Sequence, residues 1–403
     1  MKHELGGKEA SNLKVRGFKA AAVASGLKAR SALDLALIFS ETEAVCAGVF
    51  TSNKVKAAPV LITMENIKGG VARAIVANSG NANACTGPKG LEDARETARM
   101  VASQLGIKPQ EVLVASTGVI GLPLNMDAIR EALPRLKEGL VPQGLDKVAR
   151  AIMTTDKFPK LRGVRGKAQG KDYSIAAVAK GAGMIMPDMA TMLCFVLTDL
   201  NISLEELKGA LEESVSKTFN RITVDGDTST NDCVLALANG AAGNDTLSSK
   251  DLDEFRGHLQ AIMKQLALDI VRDGEGATKL VEVVVRGAAD KEEALRAART
   301  VSNSALVKTA FYGKDPNWGR IMAALGRADI SMDPGLVDIW INDIQIVSQG
   351  IGMGVQNEEK AAQEMAASQF SLIIELHQGN MEETMWTCDL THEYVSINAD
   401  YRT

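Results

Sequence analysis

The chain has 403 residues and a formal net charge of −5, with 46% apolar and 24% charged residues, ordinary values for a globular protein long enough for two or more compact units. The acidic balance excludes a global attraction to nucleic acid or anionic membranes, and no uninterrupted apolar run approaches the roughly 18 residues of a membrane span. Aromatic residues make up only 4%, so Leu, Ile, Val, Ala and the 16 Met must fill the core.

The amino-terminal stretch MKHELGGKEASNLKVRGFKAAAVASG mixes charges into its short apolar segment and lacks the apolar centre of a secretory signal. Cys46, Cys85, Cys194, Cys233 and Cys388 are scattered and form no CxxC pair, which fits a reduced, cytoplasmic chain. His3, His258, His377 and His392 sit near no cysteine pair, so no metal site is expected.

In chain order, Leu33–Ser40, Ala44–Ser52 and Ala72–Asn78 read as buried strands bounded by Gly, Asn and charged turns. Ala94, Ala98, Val101 and Leu105 recur at helical spacing and predict a helix over Leu91–Leu105. A strand over Glu111–Ser116 ends in STGVIG. Leu145–Met153 reads as a helix with Leu145, Val148, Ala149 and Ile152 on one face, and Tyr173–Lys180 and Thr191–Thr198 as strands. Ser203 is the N-cap of the next helix, with Glu206 completing a capping box. Phe255, Leu259, Ile262, Leu266 and Ile270 stripe a long helix that ends near Asp273, and His258 flanks that stripe as a partly buried structural residue.

Beyond RDGEGATK the pattern predicts a strand over Leu280–Arg286 and a helix over Lys291–Lys308. Val337–Val347 alternates around a hairpin turn at Asn342-Asp343. A helix over Glu358–Ala367 and strands over Phe370–His377 and Thr384–Leu390 follow. This alternation makes the chain α/β, with helices layered on sheets and a smaller α/β unit in the carboxy-terminal third.

Several short patterns carry chemistry only on paper. DGDTSTND begins like a calcium loop at Asp225, Asp227 and Ser229, but its sixth position is Thr230 and its twelfth Ala236, which argues against calcium. GEGATK lacks the GK[ST] ending of a phosphate loop and opens a strand. NSGNANACTG follows a strand and reads as a backbone anion nest or a tight corner. STGVIG ends a strand with Thr117 and Gly118, where glycine lets a backbone N–H face a ligand; taken alone it is a plain turn.

KGAGMIMPDMATMLCFVLTD, from Lys180 to Asp199, sets a methionine-rich loop against a buried strand, with Thr191 at the joint after Ala190. A threonine hydroxyl needs a base to become a nucleophile. Cleavage before Thr191 would place its own α-amine, with a pKa of about 7.7–8.0, beside that hydroxyl. The same hydroxyl could make the cut by attacking the Ala190 carbonyl to give an ester that water opens. A bare Ala-Thr dipeptide is otherwise an ordinary strand entry.

Taken together, NSGNANACTG, STGVIG, KGAGMIMPDMATML, TFNRITVDGDTSTND, RDGEGATK, GKDPNWGRI and YVSINADYRT resemble the ornithine acetyltransferase (glutamate N-acetyltransferase) family of arginine biosynthesis. The resemblance runs from about residue 8 to the last residue. It implies a precursor that cuts itself between Ala190 and Thr191 into an α chain of residues 1–190 and a β chain of 191–403. Thr191 is then the nucleophile of a ping-pong cycle that moves acetyl from N2-acetylornithine to glutamate.

By the same resemblance, Thr117 and Gly118 match the oxyanion hole. Thr154, Lys180, Glu275, Asn398 and Thr403 match substrate-binding positions, as does Thr191 itself. The implied fold is a helix–sheet–sheet–helix sandwich over residues 1–280 with a smaller α/β unit over 281–403, whose tail (391–403) returns to the site. No resident cofactor is implied; some members of the family use acetyl-CoA as a co-substrate. Members assemble from two α and two β chains or more. The rival readings are a self-processing aminopeptidase or amidase of the same fold, and a metabolite-binding protein that never cleaves.

Overall fold

One long strand, Leu35–Phe50, organises the larger part of the molecule. The computed structural model describes residues 4–6 (backbone), 10, 12–28, 31–186 and 192–400; Ala190, Thr191 and Thr403 lie outside the described residues. Where the sequence predicts two strands around Glu41-Thr42-Glu43, the backbone stays extended through those three exposed residues. Its pairing shifts register between Phe39 and Ala44. The first half pairs with Phe18–Val23 and with most of Val71–Asn81; the second half keeps only Ala44 and Val45 on that strand and pairs along its length with Cys233–Ala238. Each half therefore belongs to a different layer.

The resulting nine-stranded sheet runs Glu4–Gly6, Lys160–Ala168, Lys171–Lys180, Leu193–Thr198, Cys233–Ala238, Leu35–Phe50, Val71–Asn81 and Val112–Val119, with Phe18–Val23 also paired to Leu35–Phe50. Alternate residues of a strand face opposite sides, and three buried clusters show where each side goes. Ala177, Ala179, Cys194, Val196 and Val234 pack against helices Leu204–Lys217 and Ser249–Arg272. Their neighbours Ala176, Val178, Phe195 and Leu235 meet Ile38, Ile75 and Ala77 in a sheet-on-sheet core. Leu35, Leu37, Val76 and Val114 face helices Gly87–Leu105 and Met126–Glu138. These are the four layers of a helix–sheet–sheet–helix sandwich.

The capping box of Ser203 and Glu206 is formed as predicted, and Ser248 with Asp251 makes a second one at the start of Ser249–Arg272. Residues 280–388 supply a six-stranded sheet ordered Ile351–Gly352, Ile344–Ser348, Asp338–Ile341, Gln369–Glu375, Leu280–Ala288 and Met381–Cys388. Val281, Val283 and Val285 bury one face of it against Ala294, Ala298 and Val301 of helix Lys291–Ser302. The helix predicted over Lys291–Lys308 is two helices, Lys291–Ser302 and Ala305–Gly313. Ser304 breaks it by accepting a bond from the Val307 N–H as a new N-cap. Asn342 takes a left-handed φ of 49° in the predicted hairpin turn. His258 is bonded through Nδ1 to the Tyr173 hydroxyl at 2.9 Å.

The two sheets meet where Trp386 and Cys388 enter the core of the larger unit. Helix His392–Asp400 then turns back over it. This return brings Tyr394 and Asn398 to the ends of the central strands.

Candidate active site

Several strand ends converge on one cleft of ≈ 180 Å³, lined by residues from Thr117, Gly118 and Thr154 through Lys180 to Glu275 and Asn398. Thr117 and Gly118 close the parallel pairing of Val112–Val119 with Val71–Asn81. STGVIG is thus a strand end rather than a plain turn. Gly118 has φ 131°, and a Cβ there would come within 2.4 Å of the Gly80 carbonyl carbon. Only glycine lets the two backbones approach so closely.

Asparagine side chains stitch NSGNANACTG into a corner. Asn78 donates to the Asn81 carbonyl at 2.9 Å and Asn83 to that of Gly90 at 2.9 Å. Asn231, which no pattern singled out, donates to the carbonyls of Ala82 at 2.7 Å and Ser116 at 2.8 Å, tying the corner to the floor of the cleft.

Lys180 ends its strand with a buried side chain, 3% exposed. Its ammonium donates to the Thr154 hydroxyl at 2.9 Å and to that of Thr117 at 3.4 Å. Burial pulls its pKa down, opposed by Asp156, Asp232 and Glu275 and reinforced by Lys160. Across the cleft, Glu275 is fixed by its own N–H to the Ala182 carbonyl at 2.8 Å and accepts from Asn398 Nδ2 at 2.8 Å. Gly183 makes room for that carboxylate, since a Cβ would lie 2.4 Å from the Glu275 carboxyl carbon.

The acidic wall holds more than the sequence predicted. Asp225 accepts from the N–H of Met184 at 2.7 Å and of Ile185 at 2.8 Å, and from the Tyr394 hydroxyl at 3.4 Å. It thus ties the turn ahead of residue 187 to the carboxy-terminal helix. Burial raises its pKa in spite of its backbone bonds, and burial followed by the nearby Asp225 raises that of Tyr394. The available signal was the polar run Asp225–Asp232 placed directly before an all-apolar strand. Among the described residues no group of three or more His, Cys, Asp and Glu is placed to hold a metal ion. Asp232, fully buried, accepts from the Met192 N–H at 2.8 Å, and burial lifts its pKa well above the usual carboxylate range.

Of the site residues drawn from the sequence, Thr117, Gly118, Thr154, Lys180, Glu275 and Asn398 lie on one cleft; Ala190, Thr191 and Thr403 lie outside the described residues. A buried ammonium at one end and a carboxylate at the other suit a small zwitterion, and paired hydroxyl and backbone donors suit an oxyanion.

A four-layer α/β sandwich with such a cleft at its strand ends defines an enzyme of small-molecule chemistry. The chain belongs to the ArgJ family, whose model matches residues 19–403. It is 50% identical over 393 residues to the arginine biosynthesis bifunctional protein ArgJ of Geobacter sulfurreducens, a match covering 97% of this chain and 100% of that one. The protein of the same name from Desulfotalea psychrophila is 49% identical over 392 residues, with 97% and 100% covered. A solved chain of the ornithine acetyltransferase of Mycobacterium tuberculosis, complexed with ornithine, is 41% identical with a TM-score of 0.42, covering 46% of this chain and 97% of that one.

Proposed function

We propose that this protein is an acetyltransferase of arginine biosynthesis that moves acetyl from N2-acetylornithine to glutamate through an acetyl-Thr191 ester. The observation that carries the reading is the Lys180 ammonium, 2.9 Å from Thr154 and 3.4 Å from Thr117, set opposite a Glu275 carboxylate fixed by Asn398 at 2.8 Å. Both substrates share an α-amino-acid core, which such a pair holds by its carboxylate and its nitrogen end.

In the mechanism, the Thr191 hydroxyl attacks the acetyl carbonyl while the residue's own α-amine takes its proton. Thr117 and the Gly118 N–H stabilise the resulting oxyanion, each donor worth about 2.7–4 kcal/mol. Collapse breaks the C–N bond, and ornithine leaves with the proton from the α-ammonium. The amine of glutamate then attacks the ester, and Thr191 is released with its proton restored. Transfer rather than hydrolysis requires that water be kept from the ester; helix His392–Asp400 and the tail through Thr403 serve that end.

The nucleophile arises by self-cleavage between Ala190 and Thr191, so the active unit contains an α and a β chain, which we propose to assemble as α2β2 or larger. Acetyl-CoA acts as a second donor, in keeping with the word bifunctional in the relatives' names, and no resident cofactor takes part. No described helix is long and apolar enough to cross a membrane, and a cytoplasmic setting follows from the substrates.

The test is the intact mass of the purified protein before and after acetylornithine. Two fragments, with an acetyl increment on the one beginning at Thr191, are expected, and Thr191→Ala should stay whole. A wild-type chain that remains at full length sinks the reading. Ornithine release indifferent to glutamate would instead favour the self-processing aminopeptidase or amidase.

A further inference from the structure

Behind the cleft lies an ion cluster that contacts no ligand space. The Lys160 ammonium is fully buried between Asp156, at 2.8 Å, and Asp273, at 2.5 Å. Asp156 also accepts from the Gly181 N–H at 2.7 Å and, with its other oxygen, from the Thr154 N–H at 3.0 Å. Both residues belong to the cationic end of the cleft: Thr154 is the hydroxyl on Lys180, and Gly181 follows Lys180 in the chain. Asp273, at the other side of Lys160, accepts from the Lys157 N–H at 3.1 Å through each oxygen and stands two residues before Glu275 in RDGEGATK. The Asp156–Lys160–Asp273 chain therefore spans from the backbone under Lys180 to the loop that carries Glu275.

We propose that Asp156 is a positioning residue for the acetyl transfer, bracing Thr154 and Lys180 against the Glu275 loop through Lys160 and setting its own negative charge opposite the Lys180 ammonium. Three buried charges are a costly way to hold a fold, since an apolar trio of similar volume does as well or better. Their placement accounts for that cost: remove the Asp156 charge and Lys180 faces Lys160 and Lys28 with Asp232 and Glu275 as its own remaining counter-charges, while Asp273 offsets Lys160 and Asp34 offsets Lys28. Burial alone would raise the Asp156 carboxyl, but Lys180, Lys160 and the bond from Gly181 bring it to about 2, so it stays ionised through the working range.

The inference rests on the reading of Lys180 as the group that binds the substrate carboxylate, and the experiment separates the two. KM and kcat for acetylornithine, with saturating glutamate, are measured against pH in the wild type, Asp156→Asn, Asp156→Glu and Lys180→Arg. In the wild type KM climbs as Lys180 loses its proton. In Asp156→Asn that alkaline limb moves to lower pH by about 1 unit or more, with kcat on the acid side changed far less than KM. Lys180→Arg carries a cation that does not titrate, and its limb disappears.

A limb that vanishes in Lys180→Arg yet stays put in Asp156→Asn, with activity lowered evenly at every pH, overturns the inference alone. A limb that persists in Lys180→Arg overturns the reading of Lys180 and the inference with it. Should Asp156→Asn not be recovered folded, Asp156→Glu decides. It keeps the charge but displaces the carboxylate from Thr154 and Gly181, so the limb stays in place while kcat/KM falls about tenfold; wild-type kinetics there overturn the inference.

Discussion

Asn398, in the last helix, donates from Nδ2 to the Glu275 carboxylate at 2.8 Å across 123 residues of sequence. The bond joins the returning carboxy-terminal helix to the acidic end of the cleft. Asn398 also donates to the Tyr394 carbonyl one helical turn earlier at 3.0 Å, which fixes its rotamer. A hydrogen bond to a charged group contributes about 1.5–3 kcal/mol. Asn398→Ala is therefore expected to raise KM for acetylornithine about tenfold or more and to lower kcat less, as steady-state kinetics on the processed enzyme will measure. Unchanged KM would separate the helix from substrate binding.

Gly118 makes a sharper demand. A side chain there meets the Gly80 carbonyl carbon at 2.4 Å and the Asn81 nitrogen at 2.6 Å, both main-chain atoms that cannot swing aside. Gly118→Ala must part the two strands at the point where the oxyanion donors sit. Loss of one such donor lowers kcat about 10²–10³-fold, and self-cleavage, which passes through a similar oxyanion, should slow as well. Gel densitometry of the precursor over time, beside kcat, checks both. Full-rate processing with full kcat would remove Gly118 from the oxyanion hole.

These two residues also mark what the sequence could disclose. Gly118 sits in a motif whose local reading was only a turn, because nothing in STGVIG says that Gly80 lies against it. The layered α/β class was legible from alternating periodicities, and Ser203 with Glu206 formed the cap their spacing announced. The break at Ser304 was hidden because an apolar stripe continues across it. Cys233–Ala238 was missed as a strand because a short all-apolar run has no period of its own. Asp156 was not singled out and Asp225 was weighed only as a calcium ligand for a different reason: much of what each does is to accept from backbone N–H groups, at Thr154 and Gly181 and at Met184 and Ile185, and no side-chain pattern encodes such a bond.

Ser203 offers a prediction about stability free of the chemistry. Its hydroxyl accepts from the Glu206 N–H at 3.3 Å, and the Glu206 carboxylate accepts from the Ser203 N–H at 3.1 Å; neither residue lines the cleft. Ser203→Ala should lower stability by about 1 kcal/mol, read as a fall in the denaturant midpoint, while kcat and KM stay at wild-type values. A change in kinetics without one in stability would contradict this account.

Asp232 gives the dependence on pH its sign. It is fully buried, and its Oδ2 has no hydrogen-bond partner among the described residues. Burial is the largest influence on it and raises its folded pKa well above 3.8, against the Met192 N–H, Ser229 and Lys180, which favour the anion. A folded value above the unfolded one means that the stabilising contribution is complete below pH 3.8 and is lost as pH rises through the folded value. At neutral pH the carboxyl either holds a proton it would give up on unfolding or carries a poorly solvated charge. Asp232→Asn keeps an acceptor for the Met192 N–H and has no proton to lose. The variant's thermal midpoint, set against that of the wild type, should therefore improve as pH rises from about 4 toward the folded value. A difference that stays constant from about pH 4 upward, or one that shrinks, would mean that Asp232 ionises in the folded protein as readily as in the unfolded chain.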